Sequence, residues 1–119
     1  QYENRKLHPL SEAENVLFDN SNKIIEIKKN IQKLNSVIGE FLGIMKLSNN
    51  GCKKFLETYE NILDTSKQFH DAKSLNSAYL TDMIQELIES NVEVNPIIID
   101  GKWCEIDTIE DLKNAEDIF

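Results

Sequence analysis

The spacing of apolar residues along this chain runs from strand-like to helical and back, which restricts it to the α/β or α+β classes. Two short apolar runs, residues 16–19 and 23–28, flank the polar triplet Asn20-Ser21-Asn22, a pattern that predicts a β-hairpin. Residues 36–47 are mainly apolar, β-branched or aromatic, but Gly39 and Gly43 interrupt them. A helix would lose about 1 kcal/mol at each glycine relative to alanine. The run is therefore read as a strand, and a central one, in which the glycines let another backbone or a ligand come close.

Ser48-Asn49-Asn50-Gly51 forms a turn and cap signal, after which Cys52, Phe55, Leu56, Tyr59, Ile62 and Leu63 recur at helical spacing. Residues 64–74 are polar and read as a loop. Leu80, Met83, Ile84, Leu87 and Ile88 form the stripe of a second helix. Residues 92–99 are strand-like, with Pro96 confining that part to an edge or bulge. Asp100-Gly101 predicts a tight turn, and residues 102–106 the returning strand. Thr108-Ile109-Glu110-Asp111 resembles a capping box, from which Ile109, Leu112, Ala115 and Ile118 continue as a closing helix. No repeat, low-complexity tract or linker divides residues 1–119, so they are expected to form a single domain.

Composition narrows the function. With 21 acidic against 13 basic residues the net charge is −8, which argues against binding nucleic acid through its phosphates. The longest apolar runs, 41–45 and 97–99, are far too short for a bilayer span, and the first ten residues do not read as a signal peptide. Neither a nucleic acid nor a membrane is an expected partner. Cys52 and Cys104 are too few and too distant for a disulfide framework or a thiolate metal site. A reducing, cytoplasmic setting is expected, with both cysteines structural and Cys52 on the buried stripe of its helix. Residue 1 is not Met, and the natural protein is expected to start upstream of it.

The chemistry-bearing stretch is residues 103–112. In an extended strand, side chains two apart share a face, so Glu105 and Asp107 would project together beside a helix N-terminus. Such a pair can hold a hard cation such as Mg2+. By spacing alone the pair reads instead as solvated residues of a hairpin, with Asp107 helping to cap the helix, since acidic pairs are common in a chain of this charge. His70-Asp71 suggests a metal pair, but His8 is the only other histidine, so these residues read as loop polarity.

Residues 79–116 combine a helix led by Tyr79, the Asp100-Gly101 turn, Trp103, the tetrad Glu105-Ile106-Asp107-Thr108 and the helix start Asp111-Leu112. Together they resemble the C-terminal end of the nucleotidyltransferases that make nucleoside-diphosphate derivatives of small phosphates, most nearly the choline-phosphate cytidylyltransferase-like branch. Residues 25–31, containing Lys28 and Lys29, resemble that branch's strand ending in lysine. Residues 39–48 resemble its Gly-Glu segment, which enters the substrate pocket. The likeness covers nearly the whole chain in the family's order. One departure is large: the glycines are Gly39, Gly43, Gly51 and Gly101, so the family's glycine-rich nucleotide loop is absent. The strand carrying its other metal-binding aspartate is absent too.

The resemblance implies the C-terminal, acceptor-binding portion of a three-layer α/β domain of the nucleotide-diphospho-sugar transferase-like kind. Its mixed sheet would be flanked by helices, and the N-terminal nucleotide-binding half would be the missing partner. It implies a Mg2+-dependent transfer of a nucleotidyl group from an NTP, CTP by the branch, to a small phosphate such as phosphocholine. Hexose 1-phosphates and phosphonates are the alternative acceptors. Glu105 and Asp107 would contact the metal. Lys29, with Lys28 beside it, would place positive charge on the acceptor phosphate; on its residue type alone it is equally an exposed strand-end lysine. Glu40 would meet the acceptor head group, and Gly39 and Gly43 would form the pocket wall. Tyr79, Trp103 and Asp82 would surround a quaternary ammonium group. The isolated chain is expected to be inactive, with an apolar sheet face or edge open to self-association. The competing class is a non-catalytic α/β interaction module.

Overall fold

A computed structural model describes residues 13–32, 37–63 and 68–118. Their order is β1 (Glu14–Phe18), β2 (Ile24–Lys29), β3 (Ile38–Glu40), α1 (Asn49–Ile62), a 3-10 turn (Leu75–Ser77), α2 (Leu80–Glu89) and α3 (Ile109–Ile118). This is a small α/β arrangement, and the described strands form an antiparallel sheet in the order β2-β1-β3.

The predicted hairpin is β1 and β2. Asp19 makes its turn: the carboxylate Oδ1 accepts the backbone N–H groups of Ser21 at 2.8 Å and Lys23 at 2.9 Å. Asn22 takes φ +61, a left-handed conformation that asparagine tolerates better than most side chains. In register, Glu14 faces Lys29, Asn15 faces Lys28 and Val16 faces Ile27.

The strand expected over residues 36–47 is a correction. Only Ile38–Glu40 pairs, at the edge of the described sheet, and β1 is the central strand. Residue 36 lies outside the described residues. The glycines account for part of the difference. Gly43 takes φ +75, which extended pairing cannot accommodate.

Helix α2 covers the sheet. It buries Met83, Ile84 and Leu87, with Ile84 packed on Val16 and Ile27, and Met83 and Leu87 packed on Phe69. Burial of each such side chain stabilises by about 1.5–3 kcal/mol. The outer edge of β2 is also covered: Ile27 N–H donates to Gln85 Oε1 at 2.8 Å, and Ile24 N–H to Val94 O at 3.2 Å. These contacts blunt an edge that would otherwise invite pairing with another chain.

Helix α1 has the predicted span and is capped by Ser48, which accepts from Gly51 N–H at 3.0 Å. It buries none of its residues, however, and Cys52 is exposed instead of lying on a buried stripe. Cys104 is half-buried.

The return hairpin is the other correction. Gly101 takes the positive φ of a turn, but residues 92–99 and 102–106 form no strand. Pro96 removes a donor from the first segment, and Val94 O is that segment's bond to the sheet. Ile97 is 81% exposed, Ile98 64% and Ile99 53%, so an apolar run lies open to solvent. Among the described residues no helix is long and apolar enough to cross a membrane.

Candidate active site

The antiparallel register brings the C-terminal ends of β2 and β3 to either side of the start of β1. Lys29 lies opposite Glu14, and Glu40 lies opposite Asn15. This end of the sheet is closed by hydrogen bonds. Phe41 N–H donates to Glu14 O at 2.8 Å, and Ile31 N–H donates to Asn15 Oδ1 at 3.1 Å. Thr81, buried in the first turn of α2, donates its hydroxyl to Glu14 Oε1 at 2.8 Å.

The N-terminus of α2 reaches the same place. Lys29 Nζ sits 4.7 Å from the centroid of the Tyr79 ring, a cation–π contact. At an exposed position such a contact is worth about 0.5–1 kcal/mol. Tyr79 in turn is fixed by Asp82, whose Oδ2 accepts the Tyr79 N–H at 2.8 Å and so caps the helix. Asp82 is buried by this role.

Successive residues of a strand face opposite ways. Glu14 and Lys29 therefore share the face that carries Val16, Ile27 and α2, while Asn15 and Glu40 share the other. Lys29 and Tyr79 come together, and Glu40 joins them at the sheet end but not on the same face. Gly39, opposite Val16, is where the ring of Phe18 crosses: a Cβ there would lie 3.0 Å from Phe18 Cζ. The space at Gly39 is thus filled by the chain's own aromatic. A Cβ at Gly43 would meet nothing within 4 Å.

Trp103 is half-buried, and Glu105 and Asp107 are exposed, on the irregular segment before α3. The strand on which a common face for the two carboxylates was expected is not formed. The capping box that follows is complete. Asp111, 3% exposed, accepts at Oδ2 from Thr108 N–H at 2.9 Å, Thr108 Oγ1 at 2.8 Å and Asp107 N–H at 3.2 Å. Thr108 Oγ1 accepts from Asp111 N–H at 3.2 Å. The backbone of Asp107 is therefore held at the start of α3 by a buried carboxylate.

Two groups of residues were missed by reading the sequence. Glu14 and Thr81 line the sheet end, but the first sits just outside the apolar run and the second is one hydroxyl in a helix, so neither carries a signal. His70 is no loose loop residue. Its Nε2 lies 2.9 Å from Glu86 Oε2, and it is half-buried.

No family model and no solved structure matches the chain at a significant level. It is similar to the CTP:phosphoglutamine cytidylyltransferase of Campylobacter jejuni subsp. jejuni serotype O:2, with 32% identity over 109 residues. The match takes in 92% of this chain and 42% of that relative, so the chain spans about two fifths of the length of the curated relative it matches. The likeness is to a cytidylyltransferase and does not single out the choline-phosphate branch. The small α/β arrangement fits a fragment of a nucleotidyltransferase-like domain.

Proposed function

We propose that this chain is the acceptor-side portion of a cytidylyltransferase, which moves CMP from CTP to the phosphate of a small acceptor. The observation that carries the reading is the similarity to a cytidylyltransferase over 92% of the chain. In the reaction, an acceptor phosphate oxygen attacks the α-phosphorus of CTP. The new phosphorus–oxygen bond forms as the bond to the β-phosphate oxygen breaks, and pyrophosphate leaves with the electron pair.

Lys29 would meet the acceptor phosphate; its ammonium rests over the Tyr79 ring, which supports the reading. Thr81 fixes the Glu14 carboxylate beside it, which sets the polarity of the same patch. The buried Asp111 carboxylate holds the backbone N–H of Asp107, a residue on the exposed surface. Glu105 and Asp107 would hold Mg2+. Two exposed carboxylates fit that ion, which takes one or two from a protein and fills its other positions with phosphate oxygens and water. When bound, Mg2+ neutralises phosphate charge and aligns the displacement.

The acceptor is a compact phosphorylated amino-acid derivative of the phosphoglutamine class, ahead of phosphocholine. Two observations weigh against an aromatic cage for a quaternary ammonium. Asp82 is spent on capping α2, and the face of Tyr79 already carries the Lys29 ammonium.

The test is pyrophosphate release by the intact protein that carries this chain, with Mg2+, CTP and each acceptor in turn. Phosphoglutamine is expected to outrun phosphocholine. Lys29→Ala is expected to raise the acceptor KM by at least about tenfold, the equivalent of about 1.4 kcal/mol of lost phosphate binding. Asp107→Ala is expected to remove most Mg2+-dependent turnover. Absence of pyrophosphate with every small phosphate, or full activity in both variants, would overturn the proposal.

A further inference from the structure

We propose that His70, Glu86 and Glu89 form a binding site for a first-row divalent ion of the zinc type, separate from the Glu105 and Asp107 pair. The donors come from two elements. Glu86 and Glu89 stand three residues apart on α2 and so lie on one face of the helix. His70 comes from the loop before the 3-10 turn. One donor atom from each lies within 4.8 Å of the other two.

The imidazole is set in place by its surroundings. Its ring packs edge-on against buried Phe69, with centroids 4.7 Å apart, and the backbone of Phe69 bridges to Ala72. Nε2 lies 2.9 Å from Glu86 Oε2, and Nδ1 lies 3.9 Å from Glu89 Oε1. A divalent ion takes one ring nitrogen: at Nε2 it would sit between the ring and Glu86, and Glu89, which is largely exposed, would move round from the Nδ1 side to complete the set.

Access and charge also favour a cation. His70 and Glu89 line an open cleft of about 240 Å³. Besides the donor Glu89, three carboxylate side chains, Glu26, Asp71 and Asp82, line it against the single lysine Lys28, itself paired with Glu26 at 2.6 Å. The excess of negative charge concentrates cations there.

Donor chemistry selects the class of ion. Mg2+ and Ca2+ prefer oxygen throughout, whereas one imidazole with two carboxylates suits Zn2+ and its neighbours. Three protein donors leave a fourth position for water. The ion would tie the His70 loop to α2, next to the buried Phe69, Met83 and Leu87 cluster.

The test is calorimetric titration of Zn2+ into the intact protein carrying this chain, in excess Mg2+. One equivalent is expected to bind, with His70→Gln and Glu86→Gln each weakening it by at least about tenfold. Glu105→Gln with Asp107→Asn is expected to leave this Zn2+ equivalent in place. Independently of how the carboxylate variants fold, imidazole nitrogen NMR follows the His70 ring, whose resonances are assigned by their loss in His70→Gln. Its resonances are expected to shift at one equivalent of Zn2+. The proposal is overturned by affinity no better than about 1 mM, by undiminished binding in His70→Gln, or by a His70 ring that ignores the ion. Because the readout is Zn2+ binding and not turnover, its failure is distinct from a failure of the cytidylyltransferase reading.

Discussion

Asp111→Ala tests whether a single buried carboxylate builds the start of α3 and with it the position of Asp107. The substitution removes the acceptor of three hydrogen bonds, from Thr108 N–H, Thr108 Oγ1 and Asp107 N–H. Loss of a capping side chain removes about 0.5–2 kcal/mol of helix stability. An unsatisfied buried donor would add about 1–3 kcal/mol. Asp107 is exposed and Thr108 half-buried, so water reaches both freed N–H groups and most of that second penalty does not arise. The sum is about 2 kcal/mol, or about 30-fold in the opening equilibrium. Within α3 only Asp111 and Ala115 are buried, so the helix opens locally without unfolding the sheet. Native-state hydrogen exchange therefore sees the effect where global denaturation does not. The α3 amides from Leu112 onward are expected to exchange about 30-fold faster, while those of β1 and α2 keep their rates. Asp111→Asn retains one acceptor oxygen and is expected to show a smaller acceleration. Exchange of the α3 amides in Asp111→Ala within about threefold of the parent protein, well under the 1.4 kcal/mol of a tenfold change, would refute the reasoning.

Ile84→Ala cuts the helix–sheet contact to Val16 and Ile27, and is expected to lower unfolding stability by about 2–5 kcal/mol in urea titration. Gly39→Val sets a branched side chain against the Phe18 ring, where the first carbon alone would already lie 3.0 Å away. That overpacking is expected to destabilise by about 1–3 kcal/mol, read as a lower urea midpoint. The Glu93 carboxyl is held below its usual range by the Asn95 side-chain hydrogen bond and by Lys23, 3.0 Å away. Its charged form is the one favoured in the folded chain, so the Lys23–Glu93 tether is fully present above about pH 4.3 and is lost as pH falls through the lowered value. Chemical-shift titration of Glu93 in the folded protein is expected to give a midpoint below that of the unfolded chain.

Local signals in the sequence determined the elements whose stability is local. The hairpin follows from two apolar runs around Asn20-Ser21-Asn22, and its turn is closed by Asp19 within four residues. The caps at Ser48 and at Thr108 with Asp111 follow from side chains reaching backbone groups three residues away. The stripe of α2 follows from 3.6-residue periodicity, and its central residues are the buried ones. Of the candidate site, the family resemblance pointed to Lys29 and Tyr79, and spacing together with that resemblance to the acidic pair before α3.

Tertiary structure decided what depends on partners distant in sequence. Whether an apolar run becomes a central strand is settled by what flanks it, so the described residues 37–47 yielded only the short edge strand β3. The run through Ile97–Ile99 has β propensity but little sheet to pair with, and it stays open. Register, which no local pattern fixes, put Lys29 on the face of α2 and Glu40 on the other. The His70 loop and α2 meet across 16 residues of sequence, and only their docking through Phe69, Met83 and Leu87 turns a lone histidine and two helix glutamates into neighbours. Contacts within a turn are encoded where they form, whereas a site assembled across the core exists only once the core has packed.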